Sequence, residues 1–497
     1  MEPITRRQVL RLGAVGSLSV VVGATGLSRT GLPWRQPGAV LTGATGASGA
    51  LAEPEELSSE RGLLRVELVA AEAEVEIAGR RTRVLCYNGQ VPGQTWRVRP
   101  GDRIEVRLVN RLSAPTNLHT HGLYVSPVGN SDNALLSIEP GETFDYRFDL
   151  PEDHPTGVFW YHPHRHGYVA DQIFGGMYGT ILVVGDDDFP VVRERVLVLS
   201  DISLTADGSV RRVGQMQRMA GREGELVLVN GQHRPEISTT PGQRERWRVV
   251  NACTSRYMRL AVPGQQVQLL GIDSGHEAAP REVDEVFLAP GNRADLLVTM
   301  REGSTELRSL GYDRGAPMMG MMGGTSSLSG PISLATVRVA GAAAVEPEKV
   351  PRRSADADLR GREPDSRRDI SFTMGMGPGM SGDGMAGMMS LGFDGRVFDA
   401  ERTDQRIRPG ALEEWTIRNP TPMDHPFHLH VWPMQLVEEN GAAIPAVAWR
   451  DVVNVPAQGQ VVIRVDFSRF TGRTVYHCHI LDHEDAGMMG IAAVASD

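Results

Sequence analysis

The sequence predicts an all-β protein made of three consecutive Greek-key β-sandwich domains. From residue 62 onward, short β-rich segments are broken by Gly, Pro, Asn and Asp, and several alternate apolar and polar residues at period two. Helical periodicity is scarce. A loose repeat also recurs every ~140 to 165 residues, a spacing that suits a whole domain rather than a solenoid unit. Together these patterns favour stacked antiparallel sheets.

Each repeat joins an NG or DG turn, a strand, a Pro-Gly turn and a strand that ends in Asn. The three copies are Tyr87–Asn110, Leu228–Asn251 and Leu391–Asn419. They predict domain boundaries at 62–188, 189–345 and 368–497. The charged, proline-containing segment 346–367 is predicted to be a surface linker.

The N-terminal segment differs from the rest of the chain. Arg6 and Arg7 precede an apolar run at 12–27, a pattern typical of a twin-arginine export signal. The alternative is a membrane anchor, for which sixteen glycine-diluted residues are short against a ~30 Å hydrocarbon core. Residues 1–52 are therefore predicted to be signal and flexible leader, with Ala50-Leu51-Ala52 as a late cleavage site. We expect a periplasmic, cell-envelope or secreted protein.

Charge and cysteine content argue against a nucleic-acid partner and against a fold held by several disulfides. The net charge of -10 comes from interspersed acidic and basic residues, so no extended basic patch predicts a nucleic-acid partner. The chain has three cysteines, which permit at most one disulfide. Cys86 and Cys253 lie in apolar or strand-like segments, and we expect buried thiols there rather than a bridge.

Eleven of the fourteen histidines fall in four windows: LHTHG, WYHPHRH, HPFHLH and HCHILDH. Side chains two apart on a strand point to the same face, so each His-x-His offers two imidazoles to one side. The four pairs are His119 with His121, His162 with His164, His428 with His430, and His477 with His479. Eight imidazoles are enough for several metal ions between the first and third domains.

The cysteine in HCH should face the other way, toward a second metal site. Cys478 offers a thiolate, His425 and His483 are the imidazoles left after pairing, and Met488 suits a long axial position. These four donors describe a blue-copper electron-transfer centre. Zinc also suits Cys and His ligands, but it does not explain eight further paired histidines.

In order and spacing, the four windows resemble those of the multicopper oxidases, laccase-like enzymes of three cupredoxin domains. The resemblance covers essentially the whole chain after the leader. It implies four copper ions and O2 reduction to water by four one-electron oxidations. By this resemblance His119 and His428 hold a type 2 copper, and Cys478, His425, His483 and Met488 hold a type 1 copper. A type 3 pair is then held by His121, His162, His164, His430, His477 and His479.

Other residues near the motifs are candidates for proton transfer or for structural roles. Asp132 and Glu484 resemble the proton-relay carboxylates of the family, although Asp132 also suits a turn and Glu484 a solvated surface. His166 is an extra histidine for which hydrogen bonding or exposure is expected instead of ligation. The isolated histidines are expected to be structural: His154, His233 and His276.

Methionine-rich segments bear on the reductant. Residues 316–324 and 374–389 hold ten of the twenty methionines, and thioethers prefer Cu(I). The segments resemble those of exported cuprous oxidases, which confer copper tolerance. Met423, two residues before His425, could pass an electron from an outer Cu(I) to the type 1 site. An acidic residue expected about four before that histidine is Thr421 here, with Asp424 elsewhere in the motif. The sequence therefore leaves three reductants open: Cu(I), Fe(II) or a phenol. Both methionine-rich segments could also be loops without function.

Two other functions compete with an oxidase. One is a copper-sequestering envelope protein, and the other is a non-catalytic cupredoxin scaffold. A nitrite reductase is disfavoured because paired histidines fit a trinuclear site. Since one chain carries a complete set of ligands, we expect a monomer whose partners are O2 and a small reductant.

Overall fold

The computed structural model describes residues 49–185, 191–315, 330–344, 350–353, 356–376 and 389–496. These residues form six β-sheets, two in each third of the chain. The all-β class and the three predicted sandwiches are therefore confirmed. The twin-arginine segment, the methionine-rich segment 316–324 and residues 377–388 of the second such segment lie outside the described residues.

The first sandwich has sheets of four and five strands, in the orders β3-β2-β5-β7 and β1-β4-β9-β8-β6. Its strands are β1 (Glu56–Ser58), β2 (Leu63–Ile77), β3 (Arg80–Tyr87), β4 (Thr95–Val98), β5 (Arg103–Asn110), β6 (His119–His121), β7 (Thr143–Asp149), β8 (Gly157–His162) and β9 (Gly179–Val183). Helix α1 (Val169–Phe174) lies between β8 and β9.

The second sandwich has sheets of six and five strands, in the orders β11-β10-β13-β18-β15-β16 and β12-β20-β19-β14-β17. Its strands are β10 (Arg193–Ile202), β11 (Leu226–Val229), β12 (Glu236–Thr239), β13 (Arg244–Asn251), β14 (Met258–Ala261), β15 (Gln266–Ile272), β16 (Gly275–Glu282), β17 (Val286–Leu288), β18 (Arg293–Thr299), β19 (Gly303–Ser309) and β20 (Ile332–Val339). Helix α2 (Gln215–Ala220) follows β10.

The third sandwich has sheets of seven and five strands, in the orders β22-β21-β24-β30-β26-β27, with β28 against β26, and β23-β32-β31-β25-β29. Its strands are β21 (Ser366–Met376), β22 (Met389–Phe393), β23 (Gln405–Ile407), β24 (Leu412–Asn419), β25 (His425–Leu429), β26 (Met434–Glu439), β27 (Ala442–Ala443), β28 (Trp449–Arg450), β29 (Val452–Val455), β30 (Gly459–Asp466), β31 (Gly472–Cys478) and β32 (Met489–Val494). A 3₁₀ turn, η1 (Leu359–Gly361), precedes these strands, and helix α3 (Leu481–Asp485) lies between β31 and β32.

The sequence repeat corresponds to one local structure that occurs in all three sandwiches. Strands β5, β13 and β24 end in the buried Asn110, Asn251 and Asn419. In each, the side-chain Oδ1 accepts from the backbone N–H two residues later, at 2.9, 3.2 and 3.1 Å, and Nδ2 donates to backbone carbonyls. In the third sandwich one of those carbonyls belongs to Met423, so this turn fixes the chain just before His425.

Residues 49–52 correct the prediction of a flexible leader that extends to residue 52. The backbone N–H of Leu51 donates to Glu236 at 2.8 Å, and the N–H of Glu236 donates to Gly49 at 2.9 Å, so the segment pairs with β12. The Leu51 side chain is 9% exposed and joins the core of the second sandwich. Cleavage after Ala52 would remove this side chain from the core.

The predicted linker 346–367 is also less exposed than expected near its end. Leu359 is buried, its N–H donates to Oε1 of Gln435 at 2.6 Å, and its carbonyl accepts from Arg464 at 2.7 Å. Strand β21 begins at Ser366, within the predicted linker. The sequence missed this docking because charged residues surround the single leucine.

Two other features bear on the sequence predictions. Cys86 and Cys253 are free and buried, as expected. Within the described part of the chain, every helix is too short or too polar to cross a membrane.

We expect Leu51→Ala to lower the free energy of unfolding by about 2 kcal/mol, because truncation of a buried leucine leaves a cavity. Thermal unfolding of the variant and the parent would measure this loss. Ala52→Ser, at the exposed neighbouring position, is the matched control and should change stability by less than about 0.5 kcal/mol. Equal melting temperatures for the two variants would contradict the packing described above.

Candidate metal centres

Two strand pairs carry most of the clustered histidines. In the first sandwich, β6 and β8 pair so that His119 lies opposite His162. In the third sandwich, β25 and β31 pair so that His428 lies opposite His477. All eight paired histidines are buried, with at most 1% of the side chain exposed. Period-two alternation thus brings imidazoles from both sandwiches to one place, as predicted.

Three of these imidazoles meet through their Nε2 atoms. The Nε2 atoms of His164, His430 and His477 lie 3.1, 3.1 and 3.2 Å from one another. Nδ1 of His477 faces the Cys478 carbonyl at 3.0 Å, which assigns its proton to Nδ1 and a lone pair to Nε2. Metal-bound imidazole nitrogens lie about 2 Å from their ion, so nitrogens that share one ion are roughly 3 to 4 Å apart. The three histidines therefore fit one metal ion.

A second meeting point joins His119 and His428, whose Nε2 atoms are 3.5 Å apart. Their other ring nitrogens are occupied, since Nδ1 of His119 lies 2.9 Å from Asp132 and Nδ1 of His428 lies 2.6 Å from the Asp451 carbonyl. Both imidazoles accordingly turn Nε2 toward the cluster. Such outer hydrogen bonds orient metal-binding histidines.

The remaining histidines have nitrogens without a partner among the described residues. These are Nε2 of His121, Nε2 of His162 and both ring nitrogens of His479. Nδ1 of His162 lies 2.9 Å from the Pro163 carbonyl, so its Nε2 carries a lone pair. Buried polar atoms are rarely left unpaired in a folded protein, and a bound cation would satisfy one nitrogen of each ring.

Burial keeps these imidazoles neutral. It lowers the pKa of His162 to about 3 and the pKa of His477 to about 4. Burial, followed by charge repulsion among neighbouring groups, lowers the pKa of the others well below its ordinary value: His119, His121, His164, His428, His430 and His479. Neutral imidazole is the form that binds a metal ion.

A separate group surrounds the cysteine thiol. Sγ of Cys478 lies 3.4 Å from Nδ1 of His425 and 3.8 Å from Nδ1 of His483. The outer nitrogens of both rings are covered, because Nε2 of His425 lies 2.9 Å from the Thr421 hydroxyl and Nε2 of His483 lies 3.0 Å from the Met219 carbonyl. Both Nδ1 atoms are thereby left for a metal ion.

Met488 lies beside this group. Its side chain is buried in the same hydrophobic cluster as Cys478, and its carbonyl accepts from the Cys478 N–H at 3.1 Å. Met489 packs in a different cluster, with Val475 and Ile491. Thiol, imidazole and thioether groups are donors that suit copper.

Helix α3 turns two adjacent residues toward different groups. His483 faces Cys478, whereas the Glu484 carboxylate lies 3.1 Å from Nδ1 of His477 and 3.4 Å from Nε2 of His164. Neither carboxylate oxygen has a well-aligned hydrogen bond within the described residues. Burial, followed by repulsion from Asp485, raises the pKa of Glu484 well above its ordinary value. Glu484 is thus a buried acid at the histidine cluster, and not the solvated side chain considered above.

Asp132 is a second buried acid at the cluster, and it contacts a different histidine. Its Oδ1 accepts from the backbone N–H of Thr120 at 2.8 Å and from the Thr120 hydroxyl at 3.1 Å, and both carboxylate oxygens lie within 3.0 Å of His119. Burial raises the pKa of Asp132 to about 7, against the lowering effect of the Thr120 hydrogen bonds. Asp132 therefore contacts one of the clustered histidines directly.

Sequence reasoning missed three residues near the cluster, namely Arg293, Asp451 and Asp273. The Asp451 carboxylate and ring nitrogens of His121 and His428 lie within 4.8 Å of one another. Arg293 and Asp273 come from the second sandwich, for which no site residue was predicted. No local motif could have identified them, because their partners are distant in the chain.

The other histidines lie outside the metal-donor groups found among the described residues. The His166 ring packs against Phe398, with ring centroids 4.8 Å apart. His154 accepts from the Tyr124 N–H at 2.9 Å through Nε2 and faces the Pro155 carbonyl at 2.8 Å through Nδ1. Its role is structural, as expected.

Three cupredoxin-like sandwiches, with a histidine cluster between the first and third and a cysteine-containing group beside it, define the class of copper oxidoreductases. Three family models, each described as multicopper oxidase, match residues 69–188, 194–306 and 372–497. The chain belongs to the multicopper oxidase family.

Similar proteins carry two kinds of name. Multicopper oxidase mco of Staphylococcus aureus is 26% identical, over 83% of this chain and 84% of that protein. Cell division protein FtsP of Dickeya dadantii is 27% identical, over 91% and 94% of the two chains. A solved multicopper oxidase of Campylobacter jejuni, described as a metallo-oxidase, has a TM-score of 0.78 and 30% identity, over 90% of this chain and 96% of that one.

The buried His154 generates a prediction about pH. Burial lowers its pKa to about 4, whereas an unfolded histidine titrates near about 6.5. Its contribution to stability is complete above pH ~6.5 and is lost as the pH falls toward about 4, because only the unfolded chain gains a proton there. The loss should amount to roughly 3 kcal/mol.

Glutamine at position 154 can accept from Tyr124 without titrating. Melting temperatures of the parent and His154→Gln, measured between pH 7 and 4.5, should therefore fall less steeply for the variant. Parallel curves for the two proteins would contradict the prediction.

Proposed function

We propose that this protein is a copper-loaded oxidase that couples four one-electron oxidations of a reductant to the reduction of O2 to two waters. The observation that carries the proposal is the position of Cys478 between His477 and His479. The cysteine faces one donor group while both neighbouring histidines face the other. A span of three residues therefore joins an electron-accepting site to an oxygen-reducing site.

The donor groups support a distribution of four copper ions. In this proposal His119 and His428 hold a type 2 copper. One copper of the type 3 pair takes His164, His430 and His477, and the other takes His121, His162 and His479. The type 1 copper takes Cys478, His425, His483 and Met488. Bound copper would supply one-electron redox chemistry at the type 1 site and four-electron chemistry toward O2 at the other three.

The chain's own residues conduct electrons and supply protons. The reductant gives up one electron at a time, and the backbone and side chain of Cys478 link the two sites covalently. Four electrons and four protons convert one O2 into two waters. Glu484, buried at His164 and His477, and Asp132, bonded to His119, are the proposed proton carriers.

Cu(I) is the reductant that we favour. Gly315, immediately before the methionine-rich segment 316–324, forms a β-bridge with Met423, two residues before His425. The described chain that leads into that segment therefore lies beside the proposed type 1 site. The Campylobacter jejuni relative is described as a metallo-oxidase, which also supports a metal-ion substrate. Extra Cu(I) ions at 316–324 and 374–389 and a role in copper tolerance belong to the same proposal.

Thr421 occupies the position where an acidic ligand of a substrate copper site is expected, and Asp424 does not take over that role. Its carboxylate accepts from the Tyr312 hydroxyl at 2.5 Å and from Asn454 at 3.0 Å, and it is 6% exposed. Thr421 instead bonds His425. Fe(II) and phenolic reductants therefore stay alternatives. Export by the twin-arginine route and a monomeric state are proposed from the sequence alone.

The similarity to cell division protein FtsP favours a second candidate, the non-catalytic cupredoxin scaffold, with a role in cell division. Copper sequestration is a related candidate. The complete donor set argues against a purely structural role, because a scaffold has no need of eight buried neutral imidazoles in a single cluster.

Steady-state oxidation of Cu(I), Fe(II) and a dimethoxyphenol by the copper-loaded protein tests the function and the reductant together. Replacement of residues 377–388, which lie between the paired ends of β21 and β22, by a short Asn-Gly turn should lower kcat/KM for Cu(I) about tenfold and leave phenol oxidation unchanged. Cys478→Ser is the control that should abolish the blue colour and all three activities. Absence of O2 uptake by the copper-loaded parent would exclude an oxidase.

We expect Glu484→Gln to lower the rate of O2 reduction at least tenfold, because a buried proton donor typically contributes 10²–10⁴-fold. Anaerobic reduction of the blue copper should proceed at the parental rate, since Glu484 faces the other site. Stopped-flow absorbance and O2 uptake across a range of pH would separate the two steps. An unaltered turnover and pH profile would exclude this role.

A further inference from the structure

The second sandwich provides none of the proposed copper ligands, yet one of its arginines reaches the histidine cluster. Arg293, the first residue of β18, has a fully buried side chain. Its Nε donates to the Val158 carbonyl in the first sandwich at 3.0 Å, and its Nη1 and Nη2 donate to the Asp451 carboxylate in the third, each at 2.5 Å. One guanidinium thus connects all three sandwiches beside the cluster.

Asp451 contacts one histidine from each ligand-bearing sandwich. Its backbone carbonyl accepts from Nδ1 of His428 at 2.6 Å, and its Oδ1 lies 3.5 Å from Nδ1 of His121. The other group near Nδ1 of His121 is Nη1 of Arg293, also at 3.5 Å, and a guanidinium can only donate. Nδ1 of His121 thus faces an acceptor and a donor at the same distance, and the ion pair between Asp451 and Arg293 holds both groups against this edge of the ring.

Asp451 is itself held in place by Asp273. The Asp273 carboxylate accepts from the backbone N–H groups of Asp451 at 3.2 Å and Val452 at 3.3 Å, and from the N–H of Arg293 at 3.0 Å. Asn292 donates to both oxygens of Asp273, at 3.1 and 2.9 Å. Asp273 therefore fixes the backbone at Asp451, whereas Arg293 fixes its side chain.

Glycines make room for this arrangement. Gly122, next to His121, has a φ of +85°, and a Cβ there would lie 2.6 Å from both Arg293 Nη2 and Asp451 Oδ2. Gly291, two residues before Arg293, has a φ of +88°, and a Cβ there would lie 2.8 Å from Nε2 of His479. The backbone of the second sandwich therefore packs against the histidine cluster itself.

We infer that Asp451 and Arg293 are positioning residues for the trinuclear copper site, and that they set the ring orientations of His121 and His428. The inference rests on the proposed copper function. A buried ion pair rarely adds net stability compared with apolar residues of similar size, so stability alone does not account for this one. Outer partners of this kind change metal affinity about 10- to 100-fold when removed.

Asp451→Asn tests the inference directly. The amide keeps the backbone carbonyl for His428, but it weakens the pair with Arg293 and can present an N–H to His121 instead of an acceptor. We expect trinuclear copper to be retained about 10- to 100-fold less tightly against a chelator, with loss of the type 2 paramagnetic resonance signal. The blue absorbance of the type 1 copper should persist.

The matched control is Asp295→Asn, on the same strand as Arg293. Asp295 is a buried carboxylate that pairs with Arg246 at 2.6 Å and with Arg248 at 3.0 Å. This variant should lose comparable stability but retain copper as the parent does. Arg293→Lys is the second variant, because it keeps the charge and loses the two-pronged contact with Asp451.

The outcomes separate clearly. Loss of trinuclear copper with a persistent blue band, in Asp451→Asn or in Arg293→Lys, supports the inference. Parental copper retention in both variants, or loss of the blue band in both, overturns it. If the parent itself retains no copper, the proposed function fails and the inference fails with it, whereas a copper-replete parent with unaffected variants leaves the proposed function intact.

Discussion

The structure depends on one electrostatic constraint, the convergence of neutral imidazole nitrogens in a space that excludes water. The Nε2 atoms of His164, His430 and His477 lie within 3.2 Å of one another, and lone pairs at that distance repel. Burial prevents protonation from relieving the repulsion, since it keeps the pKa of each ring low. A bound metal cation would remove the conflict, and the folding free energy of two sandwiches holds the rings together without it.

The same alternation of side chains that gathers the histidines also separates two kinds of chemistry. On β31, His477 faces the cluster and Cys478 faces the opposite side. On helix α3, His483 and Glu484 are successive residues that point to different groups, because neighbours on a helix are rotated by about 100°. A sulfur-containing site and an all-imidazole site can therefore lie close together without sharing ligands.

Sequence patterns predicted the parts of the site that local geometry determines. The His-x-His pairs follow from period two, and the strand-ending Asn419 follows from a repeat whose hydrogen bonds recur in every sandwich. The partners of Arg293 and Asp451 could not be predicted, since 158 residues separate the two and neither belongs to a motif. Leu51 was misjudged for a related reason, because a single leucine among small residues does not reveal that it enters a distant core.

The coverage of the cysteine-containing site limits how a reductant reaches it. His425 and His483 are both fully buried, and their outer nitrogens bond the Thr421 hydroxyl and the Met219 carbonyl. An organic ring therefore has no exposed imidazole edge to stack on among the described residues. Electrons must cross at least one further hydrogen bond, through a threonine side chain or a helix carbonyl. That path is common to every donor, so the rates for different reductants should differ through their redox potentials, their reorganisation energies and the time each is held nearby. In the proposed function, soft thioether ligands would lengthen that time for Cu(I).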